Sequence, residues 1–139
     1  MRITLESDYA LRILSALATH SEIVDAKTLA DETSVTINFT LKILRKLVAC
    51  NLVKSYKGVK GGYSLSIPPQ NITLKQVIEQ IDGPIAIVRC LESAETCSLN
   101  SDKATCIYHH IFDTISLDVA KKLGGITILD VLNKTYKIN

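Results

Sequence analysis

Three of the four cysteines, Cys90, Cys97 and Cys106, stand close together in the chain, and Cys50 stands apart. Six residues separate Cys90 from Cys97 and eight separate Cys97 from Cys106. Zinc fingers and ribbons set their ligands in closely spaced pairs, which these intervals do not reproduce. Longer, irregular spacers suit a larger object wrapped by a loop. Thiolates are the preferred protein ligands of iron-sulfur clusters, and a histidine can replace one of them and alter the potential. His109 follows Cys106 by three residues at the start of a helical pattern, so both side chains can leave one turn in the same direction. His110 points about 100° away and has no matching role. The competing readings are a zinc site and three incidental thiols. Cys50, at the end of a helical pattern, reads as a small core residue.

A second chemistry is attraction of phosphate. The formal net charge is only +2, but no Asp or Glu occurs from Thr33 to Ile78, while Lys42, Arg45, Lys46, Lys54, Lys57, Lys60 and Lys75 all fall there. Residues 84–139 balance their acids and bases. A local excess of one sign creates a surface that attracts a polyanion, and this window is where a nucleic acid is expected to sit.

At 139 residues the chain has the size of one domain, too short for separate cofactor and substrate domains. Hydrophobic residues at 47% and charged residues at 22% exclude a largely disordered chain. No apolar run approaches the roughly 18–20 residues of a membrane span, and the N-terminus lacks the apolar stretch of a signal peptide. The expectation is a cytoplasmic protein without a membrane segment. No Gly-rich phosphate loop, Ser-His-Asp arrangement or paired-carboxylate site stands out, so an enzyme is not expected.

The elements that must carry these groups follow from periodicity. Ser7 and Asp8 read as a helix start ahead of Ala10, Leu11, Leu14, Leu17 and Ala18. A second, shorter helix spans Asp25 to Glu32. A third runs from about Thr36 to Cys50, with Ile37, Leu41, Leu44 and Val48 as the expected buried stripe and Phe39, Lys42 and Lys46 on the other face. Alternation then replaces the helical period, and two short strands flank the Gly-rich turn Lys57 to Gly62. Thr73 and Gln76 form an expected capping box opening a helix that Gly83-Pro84 stops. From Ile107 through Ile111, Ile115, Val119 and Leu123 a long helix runs to Gly124-Gly125, and its single apolar stripe predicts pairing with the same helix of a second subunit. A short turn, Thr127 to Leu132, completes the chain.

Three helices followed by a hairpin is the order of a winged helix-turn-helix, a mainly α fold with a small β wing. The third helix would enter the major groove of double-stranded DNA and the wing would reach the flanking backbone. Thr36, Asn38, Phe39, Lys42 and Lys46 are the candidate helix contacts, Lys57 and Lys60 the wing contacts, and Thr28 a phosphate donor. Phe39 also fits a packing role. The expected division is a DNA-binding unit over 1–83, a cysteine-bearing loop over 84–106 and a dimerisation helix with C-terminal segment over 107–139.

Taken together, Met1-Arg2-Ile3-Thr4, Ser7-Asp8-Tyr9-Ala10-Leu11-Arg12, Ile43-Leu44-Arg45-Lys46-Leu47 and Lys57-Gly58-Val59-Lys60-Gly61-Gly62-Tyr63-Ser64-Leu65 resemble the Rrf-two family of winged-helix transcription regulators. That family includes the iron-sulfur cluster regulator and the nitric-oxide-sensing repressor. The resemblance implies a homodimer that binds a palindromic promoter site, acts as a repressor, and carries one cluster per subunit on Cys90, Cys97 and Cys106. It offers two fourth ligands. His109 implies a 2Fe-2S cluster, and Asp8 of the partner subunit implies a 4Fe-4S cluster. His109 is favoured because it lies beside Cys106, whereas Asp8 is already explained as a first-turn acid facing the helix dipole. Leu41 stands where the cluster-biogenesis regulator has an acidic residue, so that regulator's site preference does not carry over. The rival reading is a metal-free regulator of the same fold, switched by thiol or disulfide chemistry.

Overall fold

Short polar side chains set the start of five helices, and those starts fix the frame on which the reactive groups sit. In the computed structural model, which describes residues 2–93, 97 and 102–137, Thr4 caps α1 (Leu5–Thr19), its Oγ1 accepting the Ser7 N–H at 3.3 Å. Asp25 caps α2 (Ala26–Thr33) and Thr36 caps α3 (Ile37–Ala49). Thr73 caps α4 (Leu74–Asp82), accepting the Gln76 N–H at 3.1 Å. Thr127 caps α6 (Ile128–Asn133), where the reciprocal box is complete with Asp130. Each such cap satisfies a backbone donor that the first turn leaves unpaired. The start of α1 at Thr4 corrects the expected start at Ser7. Ser7 is buried inside the first turn, and the extended backbone of Thr4 lets its hydroxyl do the capping.

The helix-turn-helix core forms where α1, α2 and α3 meet, around Ile13, Leu14, Leu29, Ile43, Leu44 and Leu47, all fully buried. The buried row of α3 is Thr40, Ile43, Leu44 and Leu47, which corrects the expected row of Ile37, Leu41, Leu44 and Val48. Ile37 is exposed, and Leu41 and Val48 are half-buried. The Thr40 hydroxyl disguised the true row as polar, although the side chain is 0% exposed.

Asn51, at φ 60°, turns the chain out of α3 into a two-stranded antiparallel sheet, β1 (Val53–Tyr56) with β2 (Gly62–Leu65). Val53 pairs with Leu65 and Tyr56 with Gly62. The free edge of β2 meets Val24, whose N–H donates to the Tyr63 carbonyl at 2.9 Å while the Tyr63 N–H returns a bond at 2.8 Å. That approach requires Gly62, because a Cβ there would stand 2.4 Å from the Val24 carbonyl oxygen. The wing is thereby fastened to the segment between α1 and α2.

Beyond the wing, α4 packs on α1 and also on α5 (Ile107–Gly124). The chain then returns to the core. The Ile128 N–H donates to Ile72 O at 2.9 Å, Ile128 is fully buried, and α6 rests on α1. On α5, Ile107, Tyr108, Ile111, Ile115 and Leu117 are exposed, whereas Ser116 is buried and its Oγ accepts the Ile87 N–H at 3.1 Å. The described part of the sulfur-bearing segment includes a 3-10 turn, Arg89–Leu91. The remainder of that loop, 94–96 and 98–101, lies outside the described residues.

Candidate nucleic-acid interface and metal centre

The exposed face of α3 carries Thr36, Asn38, Phe39 and Lys42. Phe39 meets Tyr9 of α1 edge-on, with ring centroids 5.8 Å apart, and Lys42 Nζ lies 5.9 Å from the Phe39 ring centre. Phe39 therefore packs and presents an edge at once. Thr36 accepts the Phe39 N–H at 3.4 Å as the cap of α3. Thr28 is half-buried and committed to its own helix start, its hydroxyl donating to Asp25 Oδ2 at 2.9 Å. Lys57 and Lys60 stand exposed on the wing. The Gly61 N–H donates to Gly58 O at 3.0 Å, and this turn carries Val59 and Lys60 outermost.

One feature of this face was invisible in the sequence window. Glu6, from the first turn of α1, bridges both lysines of α3: Lys42 Nζ donates to its Oε1 at 2.5 Å, and Lys46 Nζ donates to its Oε2. These two hydrogen bonds hold the Glu6 carboxyl below its ordinary pKa. The acid-free stretch is contiguous in sequence, yet the fold brings an acid onto it. The usable signal was the i, i+4 spacing of Lys42 and Lys46, which lets one carboxylate serve both.

The Arg89–Leu91 turn packs against α5. Cys90 Sγ lies 3.6 Å from His109 Nδ1. Two ligands of one tetrahedral metal, at about 2.3 Å for sulfur and about 2.1 Å for nitrogen, are separated by about 3.6 Å. The pair thus fits both a thiol–imidazole hydrogen bond and a shared metal. Cys97 and Cys106 are half-buried, and Cys106 occupies the cap position of α5. Among the described residues no three His, Cys, Asp or Glu side chains gather into a metal-sized group. His110 has a separate task, its Nε2 lying 2.9 Å from Ala104 O and bracing the turn before α5. Asp8, half-exposed, is paired within its own helix with Arg12 at 2.6 Å.

The N-terminal segment is tied to the end of α4. The Thr4 N–H donates to Asp82 Oδ2 at 3.1 Å, and the Thr4 hydroxyl also reaches Asp82 Oδ1. A cavity of about 270 Å³ separates Arg2 and Ile3 from Ile85, Ile87 and Arg89, just ahead of Cys90.

The sequence profile of the Rrf2 family, described as an iron-dependent transcriptional regulator, matches residues 3–134. The chain belongs to the Rrf2 family. It is a transcription regulator of the winged-helix type and not an enzyme. Rrf2 relatives include NsrR of Bacillus licheniformis, 31% identical over 77% of this chain and 71% of that one. NsrR of Bacillus subtilis is 25% identical over 99% of this chain and 94% of the relative. Among solved structures, CymR, the global cysteine regulator of B. subtilis, superimposes with a TM-score of 0.78 at 26% identity, covering 97% of this chain and 98% of that one. IscR of T. potens superimposes with a TM-score of 0.76 at 20% identity over 96% of this chain and 88% of that one, a likeness of fold. Among the described residues no helix is long and apolar enough to cross a membrane.

Proposed function

We propose that this Rrf2 regulator is a homodimeric, cytoplasmic repressor whose grip on a palindromic promoter is set by an iron-sulfur cluster on Cys90, Cys97, Cys106 and His109. The observation that carries the reading is the approach of Cys90 Sγ to His109 Nδ1, across 19 residues of sequence. Soft sulfur and imidazole donors so placed suit an iron site, and a histidine among thiolates suits a 2Fe-2S cluster over a 4Fe-4S cluster. Asp8 is already engaged by Arg12, which favours His109 as fourth ligand. Cys90, Cys97, Cys106 and His109 would hold the cluster, which would supply a redox- and nitric-oxide-sensitive set of bonds to those side chains.

The chain's own residues supply the rest. Cys90 and His109 draw the Arg89–Leu91 turn against α5, and Ser116 holds Ile87 to the same helix. Asp82 ties the far end of α4 to Thr4 and so to α1, on which α3 packs. The exposed apolar residues of α5 give the partner subunit a surface, so a shift of the loop against α5 changes how the two reading heads are spaced. Asn38, Phe39 and Thr36 face the major groove, and Lys57 and Lys60 engage phosphates. Thr28 anchors α2 beside the backbone.

A second reading, a metal-free thiol switch, draws on the same Cys90–His109 pair, in which a thiol sulfur lies within hydrogen-bond reach of an imidazole. It also draws on the likeness to CymR. Anaerobic purification with an absorption spectrum and iron and sulfide assays separates the two. Visible absorbance altered by His109→Ala and untouched by Asp8→Ala supports the cluster. Colourless, iron-free protein whose DNA binding responds to cysteine alkylation supports the thiol switch.

A further inference from the structure

The lysines that best fit phosphate contact on α3 are occupied by this chain's own carboxylate. Glu6 presents two oxygens to two ammonium groups one helical turn apart, which is what a bridging backbone phosphate would present. Its side chain is only 25% exposed, while those of Lys42 and Lys46 are 51% and 42% exposed, so the acid is fixed and the cations remain reachable from outside. Lys42 Nζ also lies 5.9 Å from the Phe39 ring centre, and Tyr9 meets Phe39 edge-on. Thr33 to Ile78 holds no acid of its own, and among the described residues no other carboxylate pairs with a base of α3 or the wing.

We propose that Glu6 is an internal phosphate mimic, an autoinhibitory contact that competes with the DNA backbone for Lys42 and Lys46. The inference rests on the reading that this face of α3 meets DNA. In the free protein the two lysines are neutralised. On DNA, Glu6 keeps both lysines from the phosphates, and each lysine freed of it adds one phosphate contact. The resident carboxylate thus lowers affinity for any duplex and flattens the salt dependence that α3 would otherwise confer.

The test is Glu6→Gln, measured by titration of a random-sequence duplex at several salt concentrations, with K42A/K46A, E6Q/K42A/K46A and K57A/K60A alongside. Each phosphate contact contributes about −0.9 to the slope of log affinity against log salt. Two recovered contacts steepen the slope by about 1.8, so affinity falls about 12-fold more between 50 and 200 mM salt than in the wild type. Tighter binding at low salt with that steeper slope, abolished in E6Q/K42A/K46A, is the expected result. Parallel salt lines for E6Q and wild type, with K57A/K60A still weakening binding, overturn the proposal and leave the DNA-binding reading standing. A gain that survives in E6Q/K42A/K46A also overturns it, because Glu6 then acts through general repulsion. If neither E6Q nor K57A/K60A changes binding, the reading of this face as the DNA surface fails as well.

Discussion

Replacing Gly62 with alanine should unfasten the wing. The added Cβ would stand 2.4 Å from the Val24 carbonyl oxygen and 2.7 Å from its carbon, and both are backbone atoms that cannot rotate away. The Val24–Tyr63 bridge must open, with the loss of hydrogen bonds now at 2.9 and 2.8 Å. At about 0.5–1.5 kcal/mol net for each bond, the variant should lose about 1–3 kcal/mol. For a domain of this size that corresponds to a fall of about 3–9 °C in Tm. The assay is a thermal melt followed by circular dichroism, with Val59→Ser as control, since Val59 is 107% exposed and its loss should leave the melt unchanged. The same protein titrated with duplex DNA should bind more weakly and with a shallower salt slope, as the wing lysines lose their fixed position. A G62A melt within about 1 °C of wild type would refute the argument that β2 is held by this edge.

Lys57 and Lys60 reduced to alanine should weaken binding to all sequences alike and flatten the salt slope by up to about 1.8, read from titrations at several salt concentrations. Thr40→Val should stabilise the protein by about 1–2 kcal/mol in urea denaturation, because the buried Thr40 hydroxyl finds no hydrogen-bond partner among the described residues and valine preserves its shape. Hydrogen bonds from Thr28 and Thr127 hold the carboxyls of Asp25 and Asp130 below their ordinary pKa, as Lys42 and Lys46 do for Glu6. With folded values depressed, the unfolded chain binds more protons in acid. This stability is therefore intact above the ordinary carboxylate range and is lost as pH falls through and below about 4. Tm should be flat near neutrality and drop in that window, and D25N/D130N should show a shallower acid limb.

Much of the fold was legible because its signals are local. The hairpin followed from alternation around Lys57 to Gly62, the end of α5 from Gly124-Gly125, and α4 from Thr73 and Gly83-Pro84. The start of α1 was missed because Thr4 and Ser7 both suit a cap and only burial separates them. The buried row of α3 was missed because Thr40 carries a hydroxyl into the core without a bond to justify it. The sulfur site was legible as a set of residue types, but the proximity of Cys90 to His109 depends on how α4 and α5 pack. The largest gap was Glu6, which joins Lys42 and Lys46 across 36 and 40 residues through the α1–α3 packing. A charge window along the chain cannot register an acid delivered by another helix.

In the function proposed above, a metal-sulfur centre at Cys90, Cys97, Cys106 and His109 sets the affinity of the two reading heads for DNA. Its most direct test is titration of promoter DNA with one anaerobic preparation, split into cluster-loaded and chelator-stripped halves and measured at the same salt concentration. The two halves should differ in Kd by at least about fivefold, the low end of allosteric coupling energies. Equal Kd values, with the loaded half still showing its visible absorbance throughout the titration, would contradict it.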